Sequence, residues 1–215
     1  IMPSLVGSEM CIRDSYNMAD TFYIGRTNNP YMLAGASLIL PVFNMLLCLS
    51  SLAGIGGGTL LSRLLGVGQE DEARKVSAFS FWLAIGLSLA FSVALGVFMG
   101  PALRFLGAGD NIFLFARQYS FCVIVLGAVP TVLSNVMAHL VRSIGYSKEA
   151  GFGITLGAVL NIALDPVFMY LLLPDGQQVL GVGIATLLSN CVACGYFLVI
   201  LWQIRQHTVL TADPR

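Results

Sequence analysis

Charge is what this sequence lacks most. Of 215 residues, 11 are Lys or Arg and 11 are Asp or Glu, 10% of the chain, and the formal net charge is zero. A soluble domain carries about 25% charged residues, so there is too little charge here to clothe a water-facing surface. The even balance excludes the basic footprint that nucleic acid requires, and no nucleic-acid partner is expected. Histidine numbers two, which leaves little for imidazole catalysis. Low-complexity linkers and polar stretches long enough to form a soluble domain are also missing. Of the five cysteines, Cys48, Cys122, Cys191 and Cys194 lie in apolar runs. Cys191 and Cys194 have C-x-x-C spacing, but with no second pair and no nearby histidine they read as small packing residues rather than a redox or zinc site. No cofactor is implied.

What is present is apolar. Hydrophobic residues make up 57% of the chain, and the mean hydropathy is +0.83. Five long apolar runs cover Met32–Leu61, Val76–Met99, Phe115–Val141, Gly151–Leu173 and Val179–Trp202. A helix crosses the hydrocarbon core with about 20 residues, and helices satisfy their own backbone where water is absent. Tyr16–Ile24 reads as the tail of an earlier, truncated span. The expected fold is therefore all-α and polytopic: five complete membrane helices and part of a sixth, with the lipid bilayer as partner.

Leu5–Asp14 back-translates into a transposase adapter used in sequencing libraries. Residues 1–15 are accordingly set aside as an assembly artefact, residues 16–206 form the membrane lobe, and residues 207–215 begin a connection onward. Cys11, Glu9, Arg13 and Asp14 carry no functional weight on this reading.

Basic residues sort by side. Arg63, Arg74, Lys75, Arg142, Lys148 and Arg205 fall in loops on one side, and Arg26, Arg104 and Arg117 on the other, so the first set is expected in the cytoplasm of a cell-membrane protein. Tyr23, Tyr31, Tyr170 and Trp202 fall near span ends. Gly54 with Gly58, and Gly153 with Gly157, have the G-x-x-x-G spacing that lets helix backbones approach. Pro130 is expected to kink the fourth span.

An acid within a span is costly and marks function by default. Two remain: Asp20 and Asp165. Glu70, Asp71, Glu72, Asp110, Glu149 and Asp175 read as loop residues. Asn161 lies four residues before Asp165, on the same helix face, and Pro166 cannot donate to the Ile162 carbonyl. A carboxylate, an amide oxygen and a freed carbonyl together suit a hard cation and equally a proton. The plainer alternative is that Asp165 caps a kink and Asp20 sits at a wet helix end. Asn135 and His139 lie one turn apart on the fourth span, His139 near its cytoplasmic end.

Five segments carry a family resemblance: YNMADTFYIGR (Tyr16–Arg26), GIGGGTLLSRLLGVG (Gly54–Gly68), RSIG (Arg142–Gly145), NIALDP (Asn161–Pro166) and GVGIAT (Gly181–Thr186). In this order and spacing the chain resembles the multidrug and toxic compound extrusion transporters over essentially all of 16–206. The resemblance implies one six-helix lobe, its first helix truncated, of a two-lobe transporter. It implies that the partner is a C-terminal lobe of the same polypeptide. By resemblance, Asp20, Asn161, Asp165 and Thr186 bind the coupling ion (Asp20, Asp165 and Asn161 as metal ligands if that ion is sodium), and Asn135 joins the substrate cavity. The implied activity is antiport of organic, often cationic, drugs against Na+ or H+, with no enzymatic step. A lipid-linked oligosaccharide flippase shares the architecture but calls for a more cationic cavity. An intramembrane aspartyl hydrolase would need a glycine-flanked aspartate motif that is not present. A non-functional fragment is the remaining alternative.

Overall fold

The computed structural model describes residues 18–27, 29–174, 176–204 and 210. Residues 18–25 form α1. The helices that follow are α2 (Pro30–Gly66), α3 (Glu70–Phe105), α4 (Asp110–Ser120), α5 (Ala128–Ser143), α6 (Ser147–Pro166) and α7 (Gln178–Ile204). Wider π turns continue α4 over Phe121–Leu126 and α6 over Val167–Leu172. Among the described residues there is no strand. Four helices, or five if the bent α4–α5 pair counts as one span, are long and apolar enough to cross a membrane. The set-aside segment 1–15 and the expected connection 207–215 fall outside the described residues, Leu210 excepted.

The helices begin and end for local reasons. Pro30 opens α2, where its missing N–H is no loss, and the Asn29 side chain accepts from Tyr31 N at 3.0 Å. Three helices stop in the same way. Gly68, Gly107 and Gly145 each adopt positive φ (76°, 99° and 97°), a conformation glycine enters without steric cost. The next residue then bonds back across the turn, as Gln69 N to Leu64 O, Ala108 N to Leu103 O and Tyr146 N to Val141 O. This 6→1 bond caps the helix end.

One reading of the sequence is corrected. Glu70, Asp71 and Glu72 occupy the first turn of α3, Asp110 that of α4 and Glu149 that of α6. They belong to helix N-termini, where the backbone dipole favours negative charge, and not to loops. The fourth span is kinked where Pro130 requires it. The chain bends by 50° between Leu126 and Ala128, at the Leu126 carbonyl that Pro130 has no N–H to meet. The π turn shares in the break: a Cβ on Gly127 would collide with the Val123 carbonyl, and the Ser92 hydroxyl of α3 donates to Val125 O at 2.6 Å.

Packing is set by small residues. A Cβ on Gly54 would lie 2.7 Å from His139 Cδ2, and one on Gly153 would lie 2.5 Å from Phe197 Cζ. Both G-x-x-x-G pairs are therefore contact faces, α2 against α5 and α6 against α7. One apolar cluster gathers Leu46, Leu61, Val132, Val136 and Phe197. A second gathers Ile24, Ile39, Phe43, Ile124, Met169 and Val182, and its residues surround the polar site described next.

Candidate ion-coupling site

Three helices supply the four predicted site residues. α1 supplies Asp20, α6 supplies Asn161 and Asp165, and α7 supplies Thr186. All are buried, at 5%, 2%, 0% and 3% exposure respectively. Asn161 and Asp165 share the inward face of α6, as their spacing requires. The glycines before Thr186 bring α7 close: a Cβ on Gly181 would meet the Phe168 backbone at 3.0 Å, and one on Gly183 the Cys122 Cβ at 3.0 Å.

The site is rich in acceptors and short of donors. Thr186 donates its hydroxyl hydrogen to Val182 O at 2.9 Å and accepts from Asn161 Nδ2 at 3.2 Å. The Tyr119 hydroxyl, on α4, donates to Asp20 Oδ2 at 3.5 Å. Asp165 and Thr186 both lie beside the Asp20 carboxyl. Asp20 Oδ1, Asn161 Oδ1 and both carboxylate oxygens of Asp165 are buried with no hydrogen-bond partner. Buried polar atoms are normally bonded, and each exception calls for a reason. The ion pairs found among the described residues, Lys75 with Glu72 and Arg104 with Asp110, lie on exposed surfaces. No basic side chain among the described residues therefore pairs with the two acids.

Four inward acceptor oxygens from two carboxylates and an amide fit a proton or a hard cation. They do not fit a transition metal: among the described residues no group of three or more His, Cys, Asp or Glu gathers.

A cleft of about 60 Å³ is lined by Asn161 and Thr186 together with Asn135, Thr131, Ser134 and Asn190. Asn135 thus shares a cleft with two of the site residues, and its Nδ2 donates to Ser50 Oγ at 2.8 Å. Thr131 Oγ1 is buried there without a partner. His139 lies apart, in a separate recess with Arg142. Cys48, Cys122, Cys191 and Cys194 are all free thiols.

Sequence reasoning missed Tyr119, Thr131 and Asn190. Tyr119 carried little signal, since it follows Arg117 and Gln118 near the start of its apolar run. The two cleft residues carried none, because hydroxyls and amides are common in membrane helices.

These helices form one lobe of a polytopic membrane protein around a buried acid cluster. The chain belongs to the MatE family, whose family model matches residues 6–167. It is 29% identical over 208 residues to the multidrug export protein MepA of Staphylococcus haemolyticus, covering 97% of this chain and 44% of that protein. It is 30% identical over 211 residues to MepA of Staphylococcus saprophyticus, covering 98% and 45%. The chain therefore spans less than half the length of these relatives. Among solved structures it resembles a MATE transporter in complex with MaD3S, with a TM-score of 0.86 and 28% identity over 94% of this chain and 44% of that one. It also resembles a MOP superfamily transporter from Pyrococcus furiosus, with a TM-score of 0.85 and 28% identity over 94% and 43%.

Proposed function

We propose that this lobe belongs to a cation-coupled exporter of organic, often cationic, compounds, completed by a second lobe of the same polypeptide. The observation that carries the reading is the cluster of unpartnered oxygens on Asp20, Asn161 and Asp165. A buried carboxylate pair without a counter-charge is costly, and it persists where a bound ion or proton completes it. Asp20, Asp165 and Asn161 Oδ1 would hold sodium, with Thr186 Oγ1 beside them. A proton would be shared by the two acids. Either neutralises the pair and so favours a conformation in which the carboxylates need no water. The ion drives export only through different affinity for the two conformations, as in other repeat-built transporters. The likeness to proteins named as multidrug exporters supports the organic substrate class. The cleft lining contains no lysine or arginine, which weighs against a flippase for diphosphate-linked lipids. The basic-loop distribution supports placing the Arg63 and Arg142 ends in the cytoplasm.

The test uses the full-length parent in proteoliposomes, with efflux of an organic cation driven by a sodium gradient at fixed pH or by a pH gradient at fixed sodium. One gradient should drive efflux, and Asp165→Asn should abolish that dependence. Coupled efflux that survives Asp165→Asn removes the reading.

A further inference from the structure

The wide turn at Phe121–Leu126 joins a helix that cannot rotate to one that can. Beyond it, every residue of α5 from Thr131 to Ala138 is buried. Before it, α4 is short, and Leu114 is 58% exposed. α4 is pinned at Ala116, which is fully buried and whose backbone N would lie 3.0 Å from a Cβ on Gly35 of α2. The stretch between Ala116 and Gly127 is thus held at both ends. It stores one surplus residue, because a π turn carries one residue more than the α turn it replaces.

The turn touches the acid site on two sides. Tyr119, two residues before it, reaches Asp20 Oδ2 with a bond of 3.5 Å. Cys122, within it, faces α7 three residues before Thr186, where a Cβ on Gly183 would lie 3.0 Å from the Cys122 Cβ. One side chain is poorly served by the present position: Gln118 Oε1 is buried with no partner. The position is held by the Ser92 bond to Val125 O and by the missing Cβ of Gly127.

Moving the surplus residue one turn toward Asp110 would leave Ala116 and α5 in place. It would set each residue between them back by one position, about 100° around the helix. Tyr119 would leave Asp20 for the place of Gln118. Gln118 would take the exposed place of Arg117, which opens its stranded oxygen to water. Phe121, now 48% exposed, would turn inward and retain the ring volume that Tyr119 gives up.

We propose that the wide turn at Phe121–Leu126 is a two-position switch, with the Tyr119 hydroxyl over Asp20 while that acid is charged and withdrawn once a bound cation or proton neutralises it. A charged acceptor holds a donor about twice as strongly as a neutral one, so occupancy of the acids biases the turn through its unequal interaction with the two positions. The switch rests on the ion-coupling reading of Asp20 and Asp165.

Thiol labelling of the full-length parent in liposomes, with its native cysteines replaced, tests the switch. Gln118→Cys reports the position of the turn, because a charged methanethiosulfonate reacts with a thiolate in water. Whichever ion couples, Asp20→Asn stands for the neutralised acid at constant pH. Adding it should speed modification of Gln118→Cys about fivefold, the weight of one modest hydrogen bond. Gly127→Ala, whose methyl fits the tighter turn, should speed it with Asp20 intact. Ser92→Ala should do the same, and it decides the matter if Gly127→Ala does not fold. Leu114→Cys, which precedes the pinned Ala116, should keep its rate throughout. A Gln118→Cys rate that Asp20→Asn leaves unchanged, or a rise that Leu114→Cys shares, overturns the proposal. A turn that responds to Asp20 in a parent whose efflux no cation gradient drives sinks the coupling reading and leaves the charge-sensitive turn standing. Gradient-driven efflux with an unresponsive turn does the reverse.

Discussion

Two groups of buried polar side chains sit in this lobe, and they are treated differently. Between α2, α3 and α5 the hydrogens are placed, except on Thr131 Oγ1. Ser50 donates to Val132 O at 3.3 Å, Asn135 to Ser50 at 2.8 Å and Ser92 to Val125 O at 2.6 Å. Between α1, α6 and α7, four oxygens on Asp20, Asn161 and Asp165 have no donor at all. Burial is similar in both places, so burial alone does not separate structural polarity from functional polarity. Satisfaction does. A bonded hydroxyl fastens helices together, whereas an unbonded carboxylate, on the function proposed above, keeps a place for the coupling ion.

Substitutions can break this comparison. The largest effect is expected from Asp165→Asn, which replaces a carboxylate oxygen without a donor by an amide N–H. Coupled efflux by the full-length parent should fall by about 100-fold, ~2.7 kcal/mol. Folding should not suffer, because an uncompensated buried charge has been removed. Thermal melting in sodium-free buffer is expected to be unchanged or higher. A lower melting temperature would mean that Asp165 is a structural member of the first group.

Next comes Asn161→Ala, read by ligand-induced stabilisation. If the coupling ion is sodium, adding it should raise the melting temperature of the parent, since an ion bound only by the folded state stabilises it. Asn161→Ala removes one acceptor and should weaken that response about tenfold in apparent affinity. An undiminished response would place the ion away from Asn161.

Ser50→Ala sharpens the other side. It strands the Asn135 amide hydrogen, and a stranded buried donor costs about 1–3 kcal/mol. The melting temperature should fall, while the ratio of driven to undriven efflux stays as in the parent. A changed ratio would show that the α2–α5 network also takes part in coupling.

How much of this was legible beforehand depends on the range over which each signal acts. The spans follow from apolar runs, and Asp20 and Asp165 from the cost of acids in such runs. The spacing of Asn161 and Asp165 gave their common face. Helix ends were misjudged at Glu70, Asp110 and Glu149, because hydropathy reads an acid as loop while a helix N-terminus welcomes it. The bend at Gly127 follows from Pro130, but the π turn beside it does not, since the donor that reaches the opened turn comes from Ser92 on another helix. Thr186 entered only through the family resemblance, because the bond that distinguishes it comes from Asn161, 25 residues away.

Tyr119 gives the finest test, because among the described residues it is a donor that reaches Asp20 from outside α1, α6 and α7. Its bond to Asp20 Oδ2 is long, 3.5 Å, and weak hydrogen bonds at that length contribute little. Tyr119→Phe keeps the ring and removes only the hydroxyl. If the hydroxyl merely fills space, cation affinity and folding are both unchanged. If it shares the charge of Asp20, its loss leaves the site more dependent on the ion, and cation-induced stabilisation should grow by a factor of about two to three, under ~1 kcal/mol. A loss of affinity instead would mean that Tyr119 holds Asp20 in place, and that the division into bonded and unbonded groups runs through Asp20 rather than around it.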